Sequence, residues 1–152
     1  MKALKLICST DGGLTALLAR LFLGVVMFPH GCQVALGWFG GYGYTGTIGF
    51  FTGTLHIPAF FAFLAIAAEF AGSIALILGF LSRIAAFGIG VTMAVAALTA
   101  HTANGFFMNW FGNQKGEGYE YHLLAIGLAL IVLIAGGGCA SVDKAIACDK
   151  AE

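Results

Sequence analysis

Residues 58–81 constrain the fold most, because this apolar stretch contains a single charged residue, Glu69, near its midpoint. As a helix it would span ~36 Å, enough to cross the ~30 Å hydrocarbon core of a bilayer with some tilt. Helical spacing gathers one face of mostly small residues around the carboxylate: Ala62, Ala65, Glu69, Gly72, Ser73 and Leu76. Small residues let a neighbouring helix approach closely, so we expect Glu69 to face protein. We also expect it to be neutral or paired, because a charge at mid-bilayer costs ~2.5–3.5 kcal/mol on insertion scales.

The composition places the whole chain in a membrane. Hydrophobic residues make up 60% of the sequence, charged residues make up 9%, and the mean hydropathy is +0.96. A soluble domain, in contrast, has ~25% charged residues. The formal net charge is zero, so no basic surface points to a nucleic-acid partner. The composition therefore predicts the lipid bilayer as the first partner of this chain.

Four apolar stretches of helix length predict the topology. They cover residues 14–36, 58–81, 84–103 and 119–138. The segments between them are too short to form a soluble module. We therefore predict a single domain, residues 1–152, with an all-α fold, namely an integral membrane four-helix bundle.

Lysine and arginine residues set the predicted orientation, because short loops rich in them stay on the cytoplasmic side. With both termini cytoplasmic, that side holds five of these residues: Lys2, Lys5, Arg83, Lys144 and Lys150. The opposite side holds Lys115 alone. We therefore predict a multi-pass protein with both termini in the cytoplasm.

Two segments on the outer side of this topology are rich in glycine and aromatic residues. They are residues 37–57 and 104–118. We expect both to be loops, with their tryptophan and tyrosine side chains at the membrane interface. Together they would offer a docking surface to a partner protein.

Arg20 lies inside the first predicted span, about six residues from its cytoplasmic start. A long arginine side chain could bridge the difference in depth to Glu69. We therefore predict an Arg20–Glu69 ion pair, the simplest way to keep both groups in the membrane. Two interpretations of this pair stay open: it fixes the register of the bundle, or it takes part in chemistry.

Histidine residues form a second polar group, and all four fall toward the outer side: His30, His56, His101 and His122. The polar collar that they would form also includes Glu117, Tyr119, Glu120 and Tyr121. Histidine titrates near neutral pH and can donate, accept or ligate. We expect His56 and Glu117 to be solvated loop residues. The other three histidines lie inside helices, where unsatisfied polar groups are costly.

The spacing of possible ligands does not favour a metal site. The chain has no H-x-x-x-H, E-x-x-H or C-x-x-C pair, and Glu120 and His122, two apart on a helix, point to opposite sides. A b-type haem would need two axial histidines at matching depth, for which His30 could pair with His101 or His122. A quinone needs aromatic walls and one or two donors near its carbonyl groups, and the collar fits this chemistry better.

These considerations define the predicted site, with a quinone preferred over haem and no metal. The candidate cofactor-binding residues are His30, His101, Glu120 and His122. The candidate catalytic residues are Glu69, Arg20 and His101.

Several stretches carry a family resemblance through their order and spacing. They are RLFLGVVMFPHGCQVALGWFGG at 20–41, AEFAGSIALILGFLSRIAAF at 68–87, Met93 with Ala96 and His101, GYEY at 118–121, and the closing GGGCASVD. Together they resemble the DoxX family over nearly the whole chain. One position departs from the family pattern: Val34 stands where the family often has a lysine after H-G-x-Q.

The resemblance implies a four-helix protein of the bacterial cytoplasmic (inner) membrane. The family includes the membrane subunits of an archaeal thiosulfate:quinone oxidoreductase, and other members are reported alongside redox-stress enzymes. Membership supports the fold more than the reaction, because one fold hosts many functions.

Three functions remain open from the sequence. The first is an oxidoreductase subunit that binds a quinone in the outer half of the bundle. The sequence has no flavin, iron–sulfur or nicotinamide motif, so its electrons would come from a partner protein or a small reductant. The second is a non-catalytic scaffold or assembly factor for a partner enzyme, or a homo-oligomer. The third, a transporter, is disfavoured, because four spans without a repeat or broken helices make a poor transporter.

Overall fold

The computed structural model describes residues 7–148, and these contain helices and turns but no β-strand. The helices are α1 (Leu14–Leu36), α2 (Gly43–Gly53), α3 (Ala59–Leu78), α4 (Ser82–Ala96), α5 (Glu120–Ala135) and α6 (Val142–Cys148). A π-helical turn, Ala97–His101, continues α4. Short 3₁₀ turns occupy Trp38–Gly40 and Thr102–Asn104.

Four of these helices are apolar enough to lie in a bilayer. Leu14–Leu36, Ala59–Leu78 and the helical run Ser82–Asn104 are long enough to cross it, whereas Glu120–Ala135 is shorter, with 16 residues. The prediction of an all-α membrane protein is therefore confirmed. The cytoplasmic placement of both termini stays a prediction.

The four apolar helices pack in a ring, in the order α1, α3, α4, α5 and back to α1. Between them lies a core of aliphatic and methionine side chains, including Leu23, Met27, Leu76, Ile89, Met93 and Val132. Bulky side chains such as Phe22, Phe60 and Phe87 point outward and are exposed. This arrangement suits a bundle surrounded by lipid, where large apolar residues face the acyl chains.

Gly31 brings the backbones of α1 and α3 into contact. A Cβ atom at this position would lie 2.6 Å from the carbonyl oxygen of Glu69 and from the Cα atom of Phe70. Only glycine permits such a close crossing, which is typical of membrane helices. The buried residues of α3 are Ala62, Ile66, Glu69, Gly72, Ser73 and Leu76, so the predicted small-residue face is the one that packs.

The prediction of a loop over residues 37–57 is wrong, because α2 occupies Gly43–Gly53. Its glycine and threonine residues have low helix propensity, so the local sequence did not favour a helix. Packing against α1 and α3 stabilises α2 despite its low intrinsic helix propensity. Residues 105–118, in contrast, contain no helix and form a loop as predicted.

Candidate functional site

Glu69 lies at the middle of α3, where α1 crosses it at Gly31. Its side chain is only 8% exposed, and no hydrogen bond or ion pair reaches its carboxyl group from any residue between 7 and 148. At this depth a carboxyl group without a counter-ion is favoured in its neutral form, because the ionised form loses its hydration. Glu69 is therefore a buried group with unused hydrogen-bonding capacity.

The side chain of Arg20 lies beside the C-terminal end of α3, and not beside Glu69 as predicted. Its side chain is 1% exposed, and it donates to four carbonyl oxygens: Nε to Gly137 at 2.7 Å, Nη1 to Leu76 and Ile77 at 2.8 Å, and Nη2 to Ala140 at 2.7 Å. The last carbonyl groups of a helix have no donor within it, so they attract the guanidinium group. Leu76 is two helical turns from Glu69, and the predicted Arg20–Glu69 ion pair is wrong.

Asp143 is a buried polar residue that the sequence analysis did not identify. Its two carboxylate oxygens accept hydrogen bonds from the backbone N–H groups of Leu81 at 2.8 Å and Ser82 at 2.9 Å. These groups form the N-terminus of α4, where a negative charge is favourable. Burial, together with the nearby Asp143, raises the pKa of the Cys8 thiol to about 11. Arg20, Asp143 and Cys8 therefore close this end of the bundle, and their contacts are structural.

A cavity of about 1090 Å³ opens between α3 and α4, and we refer to it as the α3–α4 cavity. Phe50 and Phe51 of α2 line its outer end, and most of its wall is apolar. Its polar side chains are Glu69, Thr92, Thr99 and His101. Both threonine hydroxyl groups donate to carbonyl groups of their own helix. Glu69 and His101 are therefore the side chains that could bind a polar ligand in the cavity.

Helix geometry makes Glu69 and His101 lean toward one another. Side chains tilt toward the N-terminus of their helix, and α3 and α4 are antiparallel neighbours, so the two side chains tilt in opposite directions. Gly88 opposes Ala68, with an added Cβ 3.1 Å from the Ala68 Cβ, and His101 lies thirteen residues further, about 20 Å along α4. The tilt shortens this gap, and the two groups lie at opposite ends of the polar part of the α3–α4 cavity.

His101 ends the π-helical turn Ala97–His101. A π turn inserts one extra residue into the helix and changes the direction of the neighbouring side chains. Such turns are frequent at functional sites. Nδ1 of His101 lies 2.9 Å from the carbonyl oxygen of Glu117. Because a carbonyl group only accepts, Nδ1 carries the proton and Nε2 has the free lone pair in the neutral ring.

Four rings form a row from the α3–α4 cavity to α1. The ring centroids of His101 and His122 are 4.2 Å apart, those of His122 and Tyr121 are 5.6 Å apart, and those of Tyr121 and His30 are 5.8 Å apart. His122 is buried, and its Nδ1 has no hydrogen-bond partner in the described part of the chain. The Tyr121 hydroxyl group contacts the sulfur of Met27 at 3.3 Å. The structure thus brings three predicted histidines into one row, and it adds Tyr121 at the centre.

Glu120 lies apart from this row of rings. Its Oε1 accepts a hydrogen bond from Nε1 of Trp110 at 3.2 Å, and it does not line the α3–α4 cavity. Glu117 is exposed, as expected, but its backbone carbonyl also accepts from Nδ2 of Asn104 at 3.1 Å. Glu117 and Glu120 therefore hold the 104–118 loop, and His56 is exposed in the turn before α3.

Residues 7–148 contain no group of three histidine, cysteine, aspartate or glutamate side chains placed to hold a metal ion. The contact between His101 and His122 leaves no room for a porphyrin between these two rings. Haem ligation through His30 stays a prediction.

A family model described as DoxX matches residues 15–102 of the chain. The matched region runs from α1 to the π-helical turn and includes Arg20, Glu69 and His101. No curated protein and no solved structure matches the chain.

Proposed function

The chain belongs to the DoxX family, and from this premise we propose that it is the membrane subunit of an oxidoreductase system in the bacterial cytoplasmic membrane, with a quinone as its ligand. The α3–α4 cavity carries the proposal, because its apolar wall holds two polar groups available to a ligand, the carboxyl group of Glu69 and Nε2 of His101. A quinone ring has a carbonyl oxygen at each end, which suits two hydrogen-bonding groups that face one another along a cavity.

The proposed chemistry needs proton transfer at both ends of the ring. Reduction of a quinone to a quinol consumes two electrons and two protons. Neutral Glu69 donates one proton from its carboxyl group, and the imidazolium form of His101 donates the other from Nε2. The carbonyl oxygen of Glu117 keeps the other ring nitrogen of His101 protonated, so Nε2 is the atom that exchanges its proton.

The electrons come from the redox centre of a partner protein, because the sequence has no flavin, iron–sulfur or nicotinamide motif. The 104–118 loop supports such a contact. Trp110 and Phe111 at its tip are 77% and 90% exposed. Asn109 fixes the loop through hydrogen bonds with Glu117 and Gln114. A fixed loop with exposed aromatic residues is typical of protein interfaces.

The same loop supports a second candidate function, a non-catalytic scaffold or assembly factor for a partner enzyme. In that case the partner would dock on Trp110 and Phe111, and the α3–α4 cavity would hold ordinary membrane lipid. The two candidates differ in one respect that is simple to measure, namely the quinone content of the purified protein.

The first experiment is purification in a mild detergent, followed by a visible spectrum and by mass spectrometry of the organic extract. We expect about one quinone per chain and no Soret band. A Soret band would replace the quinone with haem and make His30 a candidate ligand. The absence of both would favour the scaffold.

A matched pair of variants tests the position of the quinone. Ala100 lines the α3–α4 cavity beside His101, whereas Ala103 is exposed and lies outside the lining. Ala100→Trp should remove the bound quinone, because the indole group fills the ring position. Ala103→Trp places the same group at nearly the same depth and should leave the quinone content unchanged. Equal quinone content in the two variants would place the quinone elsewhere.

A further inference from the structure

The α3–α4 cavity is longer than a quinone ring requires. Beyond Glu69 its lining continues to Leu78 and to Ile84 at the other end of the bundle. This part extends about 14 Å along α3, at 1.5 Å per residue. Its lining side chains are all apolar, including Ala75, Leu78, Phe80 and Leu81. A ring bound between Glu69 and His101 would therefore leave this part of the cavity empty.

The exposure of the lining indicates what can fill that part. Several of its side chains are exposed on the outside of the bundle, including Leu78, Ile84 and Phe87. In a membrane this side of the bundle faces lipid, so this part of the cavity is open to the bilayer. Its apolar wall therefore suits a hydrocarbon chain that enters from the bilayer.

Glu69 indicates which hydrocarbon chain fits. It is 8% exposed, it has no hydrogen-bond partner within residues 7–148, and it marks the point where the polar part of the cavity gives way to the apolar part. A phospholipid would have to carry its ionic head group to this depth to reach it, which is costly. An uncharged ring with carbonyl oxygens meets Glu69 without that cost.

We infer that the apolar part of the α3–α4 cavity binds the polyprenyl tail of the quinone, and that the protein selects long-tailed quinones that enter sideways from the bilayer. The ring lies between Glu69 and His101, and the tail runs past Ala71 toward Leu78 and Ile84. This inference rests on the proposed function and adds to it the class of substrate and its orientation.

Photo-crosslinking of the full chain in phospholipid nanodiscs tests this placement. Two probes share one quinone ring and one long prenyl tail, and they differ in the position of a diazirine group, either beside the ring or at the end of the tail. Mass spectrometry of the digested protein then locates each crosslink. We expect the ring probe to label residues near His101 and the tail probe to label residues 71–84. Excess unlabelled long-tailed quinone should abolish both labels, and excess phospholipid should abolish neither.

A matched pair of variants separates the tail from the ring. Ala71 lines the cavity and is exposed, so Ala71→Phe fills the tail region without disturbing the core. Val25 is exposed on α1, outside the cavity, and Val25→Phe is the control. Ala71→Phe should abolish saturable labelling by the tail probe and preserve labelling by the ring probe, whereas Val25→Phe should preserve both.

Two results would overturn the inference, and they have different consequences for the proposed function. If the ring probe labels saturably but the tail probe labels lipid-facing residues all around the bundle, the tail lies in the bilayer, and only the inference fails. If neither probe labels saturably, the chain binds no quinone, and both proposals fail.

Discussion

Replacement of Arg20 by methionine should unfold or severely destabilise the bundle. Its guanidinium group joins three parts of the chain: α1, the end of α3, and the segment before α6. Methionine has a similar length and an apolar side chain, so Arg20→Met keeps most of the volume but removes every donor. The carbonyl oxygens of Ile77, Gly137 and Ala140 would then lose their charged donor, and that of Leu76 would keep only the backbone N–H of Gly79.

The size of the effect follows from the contacts. A hydrogen bond that involves a charged group contributes ~1.5–3 kcal/mol, and Arg20→Met removes four such hydrogen bonds to carbonyl groups. These terms overlap, so we expect Arg20→Met to lower the free energy of unfolding by about 4–5 kcal/mol. Arg20→Lys keeps the charge, but its three donors cannot serve four carbonyl oxygens, and it should lose about half as much.

Unfolding of the purified protein in mixed micelles, with a rising fraction of denaturing detergent and far-ultraviolet circular dichroism as the signal, measures this loss. Arg83→Met is the matched control. Arg83 is only half-buried, and it donates to the carbonyl groups of Ser9 and Leu133. Its replacement should cost less than that of Arg20. If the free energy of unfolding of Arg20→Met lies within about 1 kcal/mol of the wild-type value, the hydrogen bonds of Arg20 do not hold the bundle together, and this reasoning is refuted.

Three further predictions concern the packing and the buried polar end of the bundle. Gly31→Ala should lower the free energy of unfolding by about 1–3 kcal/mol, because its Cβ would overlap the backbone of α3, whereas Gly127→Ala, in open space, should be neutral or slightly stabilising in the same assay. Asp143→Asn should cost about 1–2 kcal/mol, because an amide offers one acceptor where α4 has two N–H groups to satisfy; an unchanged unfolding midpoint would contradict this. The Cys8 thiol should resist maleimide below pH 9 in the folded protein, and stability should fall by about 2 kcal/mol between pH 9 and pH 11, because the unfolded chain ionises first. Cys8→Ala should abolish this alkaline loss, and a persistent loss would assign it to another group.

The candidate site could be predicted only in part. The sequence places His101 and His122 in one polar collar at the outer ends of two helices, and in the structure their rings are 4.2 Å apart. Tyr121, which lies between His122 and His30, is not among the predicted site residues, because its position within the row depends on how α5 is rotated against α1. Sequence spacing fixes a residue's place on its own helix, but it does not fix the rotation of one helix against another.

The sequence by itself determined the four apolar helices and the face of α3 that packs. Hydropathy and helical periodicity depend only on the residues within each segment, and they decide whether that segment is stable as a helix in a bilayer. Only the tertiary structure decided where the buried charges go. Arg20 meets carbonyl groups 56 to 120 residues away in the sequence, and it prefers the open end of α3 to Glu69. The physical reason is that a guanidinium group with five donors needs several acceptors in one place, and such a place forms only when separate helix ends and turns come together.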